Sequence, residues 1–242
     1  MQQNAPICRS PQQAEAFSGV SSATEAIAWL RQQGVFKRPH KGAELGYAST
    51  GINELDAILG GGLPTGVLCE LCGNASSGRT ALAMALVARI TQKGALAVWV
   101  DPADALDPRS LKAAGTRLER LLWVRPQKPR PLQQAMQAVD ALLDGGGFGL
   151  VVLDMLEVGR RHGCDRPGWW IRLSRRLEHA RNTVMLSLVE QSWAGPVAHT
   201  RLRCSAAGGK SLQEDDLAVR IERRRGSPPG ARAVVRLHAP GD

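Results

Sequence analysis

The chain has 242 residues, of which 43% are hydrophobic and 22% charged, a balance typical of a folded protein with a sizeable core. No apolar run approaches the roughly 20 residues that a membrane-spanning helix needs, and the polar N-terminus lacks a signal-peptide core, so we expect a cytoplasmic protein with no membrane partner. The net charge of +9 favours a polyanionic partner, and the five cysteines, an odd number, do not indicate a disulfide framework.

The first part of the chain is predicted to be an arm. Residues 1–44 combine one amphipathic helix, at about residues 22–33, with a basic linker rich in proline and glycine. The apolar face of this helix is suited to docking either on a neighbouring core or on its own domain. Residues 45–242 are predicted to form a single core domain.

The core domain alternates predicted strands with predicted helices. The strands are expected at residues 66–71, 95–101, 121–124, 148–156 and 183–190. The helices are expected at residues 81–94, 108–114, 132–144 and 169–182. This alternation predicts an α/β fold with a mainly parallel sheet covered by helices on both faces. Beyond residue 200 the chain alternates apolar and polar residues, which predicts C-terminal antiparallel strands at the sheet edge.

Residues 73–80, GNASSGRT, match the phosphate-loop pattern G-x-x-x-x-G-K-[ST], except that arginine stands in place of the lysine. The segment follows a predicted strand and opens a predicted helix, where backbone N–H groups and the helix N-terminus bind phosphate. Arg79 keeps the positive charge but is longer and planar, and Thr80 is placed to give its hydroxyl to Mg²⁺. ATP and Mg²⁺ are therefore the predicted cofactors, and the predicted binding residues are Gly73, Asn74, Ala75, Ser76, Ser77, Gly78, Arg79 and Thr80.

Asp154 is the second element of this predicted site. It ends the apolar stretch FGLVVLD, and an acid at the end of a buried strand is the usual partner of a phosphate loop. Such a carboxylate holds Mg²⁺ through water. Asp154 and Thr80 are therefore the predicted magnesium-associated residues.

Residues 49–83 resemble the segment of the RecA recombinase that leads into its phosphate loop, and residues 105–115 resemble the segment lining the adenine side of that site. The resemblance extends over residues 45–240 and implies a RecA-type P-loop NTPase core. It also implies that Asp107 contacts adenine, whereas Ser110 replaces an aromatic stacking residue nearby.

The resemblance also shows where the site departs from the family. Ala103 falls where the family has the glutamate that orients the attacking water, which implies weak or absent ATPase activity. Gln191 matches the glutamine that senses the γ-phosphate, at the start of a second DNA-binding loop that is much shortened here. Arg223 and Arg225 match two lysines that reach the nucleotide of the neighbouring protomer, which implies a role in self-association.

A short RecA-like chain with these features resembles the ImuA family, RecA-related accessory proteins of damage-inducible (SOS) mutagenesis. The segment DLAVRIERRRGSPPGARAVVRL carries a pattern especially similar to the end of that family. The resemblance implies three partners: RecA, the inactive Y-family polymerase homologue ImuB and an error-prone replicative-type polymerase. The implied function is translesion DNA synthesis without polymerase activity of its own.

One basic segment, residues 158–176, lies where the resemblance places the first DNA-binding loop. Arginines pair with phosphates and tryptophans stack on bases, so single-stranded DNA is a candidate ligand. The candidate contacts are Arg160, Arg161, Arg166, Trp169 and Arg172. The alternative is that Trp170, Leu173 and Leu177 form the apolar stripe of a helix packed on the sheet, with the arginines on its solvated face.

Two cysteine-containing clusters favour no metal site. Cys69 and Cys72 form C-x-x-C within a predicted strand and lack a second pair of ligands, so we expect buried core residues. His162, Cys164 and Asp165 lie in a turn rich in proline and glycine. Three functions stay open at this point: the accessory protein, a truncated DNA-dependent ATPase or recombinase of the RecA type, and a nucleotide-sensing regulator.

Overall fold

The computed structural model describes residues 7–8, 46–126, 129–156, 167–207, 216–226 and 229–237. The predicted helix at residues 22–33 and the proposed boundary at residue 44 lie outside these ranges. The candidate DNA contacts Arg160, Arg161 and Arg166 lie outside them as well.

Eleven strands and five α-helices form the described part of the chain. The strands are β1 (Ile7–Cys8), β2 (Tyr47–Ala48), β3 (Leu63–Pro64), β4 (Leu68–Cys72), β5 (Leu96–Val100), β6 (Leu121–Val124), β7 (Phe148–Asp154), β8 (Val184–Val189), β9 (Thr200–Ala206), β10 (Asp216–Arg224) and β11 (Arg232–Arg236). The helices are α1 (Asn53–Leu59), α2 (Arg79–Gln92), α3 (Pro108–Ala113), α4 (Pro131–Gly145) and α5 (Pro167–Leu177).

Nine strands form one sheet in the order β1-β6-β5-β7-β8-β4-β9-β10-β11. Strands β4 to β9 pair in parallel wherever they are neighbours, whereas β10 runs antiparallel to both β9 and β11, and β1 runs antiparallel to β6. The predicted parallel sheet with an antiparallel C-terminal edge is confirmed. Strands β2 and β3 form a separate two-stranded ribbon.

Helices cover both faces of this sheet, as predicted, and each face buries its own apolar cluster. On one face, α4 and α5 pack against residues such as Val151 and Met185. On the opposite face, α1, α2 and α3 pack against residues such as Trp99 and Leu186. The central strands are therefore apolar on both sides, which explains why their sequences are continuous apolar runs and do not alternate.

Local sequence signals set several helix ends. Asp107 caps α3 by accepting hydrogen bonds from the backbone N–H groups of Arg109 and Ser110, and Pro108 occupies the first turn, where its missing N–H costs nothing. Gly60 follows α1 at φ 65°, a left-handed conformation that favours glycine.

The parallel strands bring the predicted site residues to one edge. Strand β8 lies between β7 and β4, with Asp154 paired to Leu188 and Cys72 paired to Val189. The segments that follow these three strands therefore leave the sheet side by side. Ligands of open α/β sheets bind at such carboxyl edges.

Candidate nucleotide site

The phosphate loop forms as predicted, between the end of β4 and the start of α2. Ser76 has φ 58° and Gly78 has φ 78°, so two residues of the loop adopt the left-handed conformation. The Ser77 N–H donates to the carbonyl of Asn74 at 3.1 Å, which closes the turn. Backbone of this shape turns successive N–H groups toward one side, where an anion binds.

Both loop glycines have a steric reason to be glycine. A Cβ at residue 73 would lie 2.9 Å from the carbonyl oxygen of Cys204, and one at residue 78 would lie 2.7 Å from a methyl group of Leu217. The loop is therefore pressed against β9 and β10, and a side chain at either position would displace it. The hydroxyl of Ser77 is buried and has no hydrogen-bond partner among the described residues, which suits a loop built to receive a polar ligand.

Arg79 folds back into the loop. Its side chain is 7% exposed, and its Nη1 donates to the carbonyl oxygen of Gly73, so the guanidinium spans from the helix start to the first loop residue. Its Nε is buried and lacks a hydrogen-bond partner within the described parts of the chain. The positive charge of Arg79 is therefore present at the loop, and one N–H donor of its guanidinium is already bonded to the loop backbone.

Asp154 ends β7 at the same edge of the sheet. It is 7% exposed, and one carboxylate oxygen accepts a hydrogen bond from the N–H of Leu156 at 3.1 Å. Burial raises the pKa of Asp154 to about 6, and the negative charge of Asp101 acts in the same direction. A carboxylate held in this apolar setting gains strongly from a nearby cation, so Asp154 and the half-buried Thr80 fit a magnesium-associated role.

Ala103 lies in the exposed turn after β5, and its two acidic neighbours are committed elsewhere. Asp101 is fully buried and accepts hydrogen bonds from the N–H groups of Ala105 and Leu106, at 3.1 and 2.9 Å. Asp104 forms an ion pair with Arg125 at 3.1 Å. Neither acid is placed as a substitute for a carboxylate at residue 103, because each already holds the turn in shape.

Asp107 uses its carboxylate to cap α3. It accepts hydrogen bonds from the hydroxyl of Ser110 at 2.8 Å and from the N–H of Arg109 at 3.1 Å. These bonds, the one from Ser110 first, lower the pKa of Asp107 below its usual value. The helix cap accounts for this residue locally, and its contact with adenine stays a prediction.

Gln191 is exposed and follows β8, the strand that pairs directly with β4, which leads into the phosphate loop. The residues between β8 and β9, numbers 190–199, form what we call the β8–β9 loop. Arg223 donates to the carbonyl oxygens of Ala198 and Pro196, and Arg225 donates to that of Pro196. The two arginines matched to intersubunit lysines thus bind the β8–β9 loop of their own chain.

The interpretation of Trp169 as a base-stacking residue is wrong. Its side chain is 2% exposed and packs edge-on against Trp170, with ring centroids 4.6 Å apart, because both rings belong to the apolar cluster beneath α5. Leu173 and Leu177 are also buried, so the alternative of a helix packed on the sheet is the correct one. Arg172 is exposed on this helix and stays a candidate DNA contact.

Cys69 and Cys72 are buried core residues, as expected. They point to opposite faces of the sheet, each within a different apolar cluster, so they do not meet as a ligand pair. Burial raises the pKa of each thiol to about 12. In the described ranges, no three His, Cys, Asp or Glu residues group as a metal site, and no helix is long and apolar enough to cross a membrane.

One residue with a clear structural role, Glu70, is not among the residues predicted above. It is completely buried in β4 and binds the β8–β9 loop and Arg201. The signal that marks it in the sequence is a single acid in the middle of the apolar strand LCELC. Buried acids are rare unless they are paired, so such a residue calls for a partner.

The fold and the loop define an α/β protein with a P-loop at the carboxyl edge of its sheet. The family model described as the RecA N-terminal domain matches residues 32–158, a little over half of the chain. The chain therefore belongs to the RecA family. Among solved structures, the RadB recombinase is similar, with a TM-score of 0.62 and 21% identity over 79% of this chain and 96% of that one. At this identity the similarity shows the fold alone.

Curated relatives named Protein RecA match about half of this chain. The protein from Paracoccus denitrificans is 42% identical over 113 residues, which is 46% of this chain and 31% of that protein. The protein from Caulobacter vibrioides (strain NA1000 / CB15N) is 36% identical over 148 residues, which is 57% of this chain and 41% of that protein. The chain thus spans well under half of the length of these relatives.

Proposed function

We propose that this chain is a RecA-like accessory protein of damage-induced mutagenic translesion DNA synthesis (the SOS response). It binds ATP with Mg²⁺, hydrolyses it weakly or not at all, and acts through contacts with RecA and with an ImuB-type polymerase homologue. The observation that carries the proposal is a phosphate loop kept in shape in a chain that has Ala103 in the turn after β5, where the resemblance places a water-orienting carboxylate. The proposal of partners rests on the resemblance of the C-terminal segment to the ImuA family.

The residues of the site fit a magnesium nucleotide. The N–H groups of the loop and the charge of Arg79 would hold the phosphates, and Thr80 and Asp154 would hold Mg²⁺, which would neutralise part of the phosphate charge. Gln191 would approach the γ-phosphate from the β8–β9 loop, and Asp107 would face the base. The loss of a water-orienting carboxylate costs about 10²–10⁴-fold in rate, so binding outlasts turnover.

A DNA-dependent ATPase or recombinase of the RecA type is the second candidate. It is favoured by the presence of both the phosphate loop and Asp154 at the carboxyl edge of the sheet. In this function Arg223 and Arg225 would act on a neighbouring copy, and they would first have to release the carbonyl oxygens of Pro196 and Ala198.

Phosphate release separates the two functions. It is measured with and without single-stranded DNA for the wild-type chain, Asp154→Ala and the control Asp104→Ala, which removes an exposed acid bound to Arg125. The accessory function predicts ATP binding with little release in every sample. The ATPase would be established instead if DNA stimulated phosphate release, Asp154→Ala abolished it and Asp104→Ala still showed it.

A pull-down tests the partners. The tagged chain is incubated with purified RecA, with an ImuB-type homologue and with an unrelated P-loop protein as control. Retention of RecA or of the polymerase homologue, at salt high enough to screen nonspecific charge attraction of this basic chain, supports the accessory function. Retention of neither protein would remove the basis for it.

A further inference from the structure

Glu70 is a charged residue at the centre of the core. It lies in β4, two residues before the strand ends at Cys72, and its exposure is 0%. Of the two neighbours of β4 in the sheet, β8 is buried throughout, and β9 places the half-buried Arg201 opposite Glu70. A carboxylate in such a place is strongly disfavoured unless donors surround it, because it loses its hydration.

Four donors surround this carboxylate, and three of them come from the β8–β9 loop. Oε1 accepts from the N–H groups of Trp193 and Ala194, at 3.0 and 2.9 Å. Oε2 accepts from the hydroxyl of Ser192 at 2.7 Å and from Nε of Arg201 at 3.0 Å. The acid therefore holds three successive residues of the loop.

Arg201 completes the attachment from β9. Its Nη2 donates to the carbonyl oxygen of Gly195 at 2.8 Å and also to the hydroxyl of Ser192. Further along the loop, Arg223 donates to the carbonyl oxygen of Ala198 at 2.9 Å. The β8–β9 loop is thus bound along most of its length by one buried acid and by arginines of two strands.

This attachment is connected to the phosphate loop through the backbone. Glu70 and Gly73 lie three residues apart on the same chain segment, and Val189 pairs with Cys72. Gln191 directly precedes Ser192, whose hydroxyl binds Glu70. The contacts of Glu70 therefore hold the residues directly after Gln191 to the strand that leads into the phosphate loop.

We propose that Glu70 is a positioning residue that clamps the β8–β9 loop and thereby fixes Gln191 beside the phosphate loop. In this role it sets how the protein distinguishes a nucleoside triphosphate from a diphosphate. The discrimination between triphosphate and diphosphate rests on the proposed nucleotide binding, whereas the clamp on the β8–β9 loop does not. An apolar side chain would fill the same space in β4 without the cost of burying a charge, so burial alone does not explain an acid there.

The clamp is tested first without nucleotide, by hydrogen exchange of the amides at residues 190–199. Glu70→Gln keeps the shape of the side chain but turns an NH₂ group toward donors, and we expect exchange at Trp193 and Ala194 to rise by about tenfold or more. Ser192→Ala removes one loop contact at a half-buried position, and we expect a smaller rise in the same residues. Glu222→Gln is the matched control, because it breaks the ion pair with Arg203 on neighbouring strands and leaves the loop untouched.

The discrimination is tested by the affinities for ATP and ADP in the same variants. Glu70→Gln and Ser192→Ala should weaken ATP binding by several-fold relative to ADP, whereas Glu222→Gln should leave the ratio unchanged. A merely structural role of Glu70 would lower both affinities together with the melting temperature, and that result would overturn the proposal.

The exchange measurement also overturns the proposal if the loop amides of Glu70→Gln and Ser192→Ala stay as protected as in the wild type. If Glu70→Gln does not fold, Ser192→Ala decides both measurements, because a hydroxyl on a loop is not needed for the core. A wild-type chain that binds neither nucleotide would contradict the proposed function and the discrimination, while the exchange result would still decide the clamp.

Discussion

Arg79 shows how a single substitution changes a phosphate loop without destroying it. The loop keeps its two glycines, each tightly packed against a neighbouring strand, and keeps a positive charge at the helix start. The longer side chain, however, reaches across to the carbonyl oxygen of Gly73. A phosphate group must therefore compete with the Gly73 carbonyl oxygen for the guanidinium. In addition, a planar guanidinium and a compact ammonium bind phosphate with different geometry.

Arg79→Lys should therefore bind ATP more tightly than the wild-type chain, by roughly tenfold, the scale of one hydrogen bond between charged groups. Titration with a fluorescent ATP analogue measures the affinity. Arg79→Ala serves as the comparison and should bind weakly, because no positive side chain remains at the loop. An affinity of Arg79→Lys equal to or below that of the wild type would show that arginine is a competent phosphate ligand here.

Asp154 makes stability depend on pH in a defined direction. Its pKa in the folded protein, about 6, lies above the value of 3.8 in an unfolded chain, so the folded state favours the neutral acid. The stabilisation that comes from the neutral acid is fully present below pH 3.8, the pKa in the unfolded chain, and is lost as the pH rises through the folded pKa of about 6. Asp154→Asn, which stays neutral, should be the more stable form at pH 7.5, by about 1–3 kcal/mol.

Urea unfolding in a chelating buffer without nucleotide measures this difference. The free energy of unfolding of Asp154→Asn relative to the wild type should grow between pH 4.5 and pH 7.5. Asp104→Asn is the control, because that acid is exposed and paired with Arg125. A difference that does not vary with pH would show that the carboxylate of Asp154 is not disfavoured in the fold.

Helix α5 illustrates how an element decides the role of its residues. A stripe of Trp170, Leu173 and Leu177 predicts a helix packed on the sheet, and the structure adds Trp169 to the buried side. The same helix leaves Arg172 exposed. Two residues of one candidate DNA-binding segment thus have different environments, because Trp169 belongs to the buried stripe of the helix with Trp170 and Leu173, whereas Arg172 lies outside that stripe.

Trp169→Ala should destabilise the protein by about 3–5 kcal/mol, because it removes a large ring from a packed core. Arg172→Ala should change stability by no more than about 0.5 kcal/mol. Thermal and urea unfolding give both values. If Trp169→Ala left stability unchanged while it weakened binding of single-stranded DNA, the tryptophan would belong to a binding surface after all.

At the scale of the whole molecule, the antiparallel edge is part of the core. Strands β10 and β11 bury the side chains of Leu217, Val219, Ile221, Ala233 and Val235 in the cluster that includes α1 and α2. Leu217 also packs at Gly78 of the phosphate loop. The C-terminal strands therefore support both the sheet and the candidate site.

A chain that ends after residue 207 should not fold. It would lose six buried apolar side chains, the five named above and Ala218. The larger ones are worth about 1.5–3 kcal/mol each, against a total stability of about 5–15 kcal/mol for a typical domain. Circular dichroism and cooperative unfolding test this expectation. A chain that ends after residue 237 is the control and should unfold like the full-length protein. Cooperative unfolding of the shorter chain would show that the antiparallel edge is dispensable.

The amino-acid sequence by itself determined the order of the elements, the phosphate loop and the acid at the end of β7. These features are local: apolar runs set the strands, and glycines at two positions set the loop. The sequence did not decide whether residues 169–177 form a DNA-binding surface or a helix packed on the sheet, because the exposure of each side chain depends on what packs against the helix. Only the tertiary structure decided that Trp169 is buried, that Asp101 and Asp104 hold a turn, and that Glu70 meets the β8–β9 loop about 120 residues further along the chain. Such contacts join segments that are distant in sequence, and no local pattern specifies them, because the sheet order alone brings β4, β8 and β9 together.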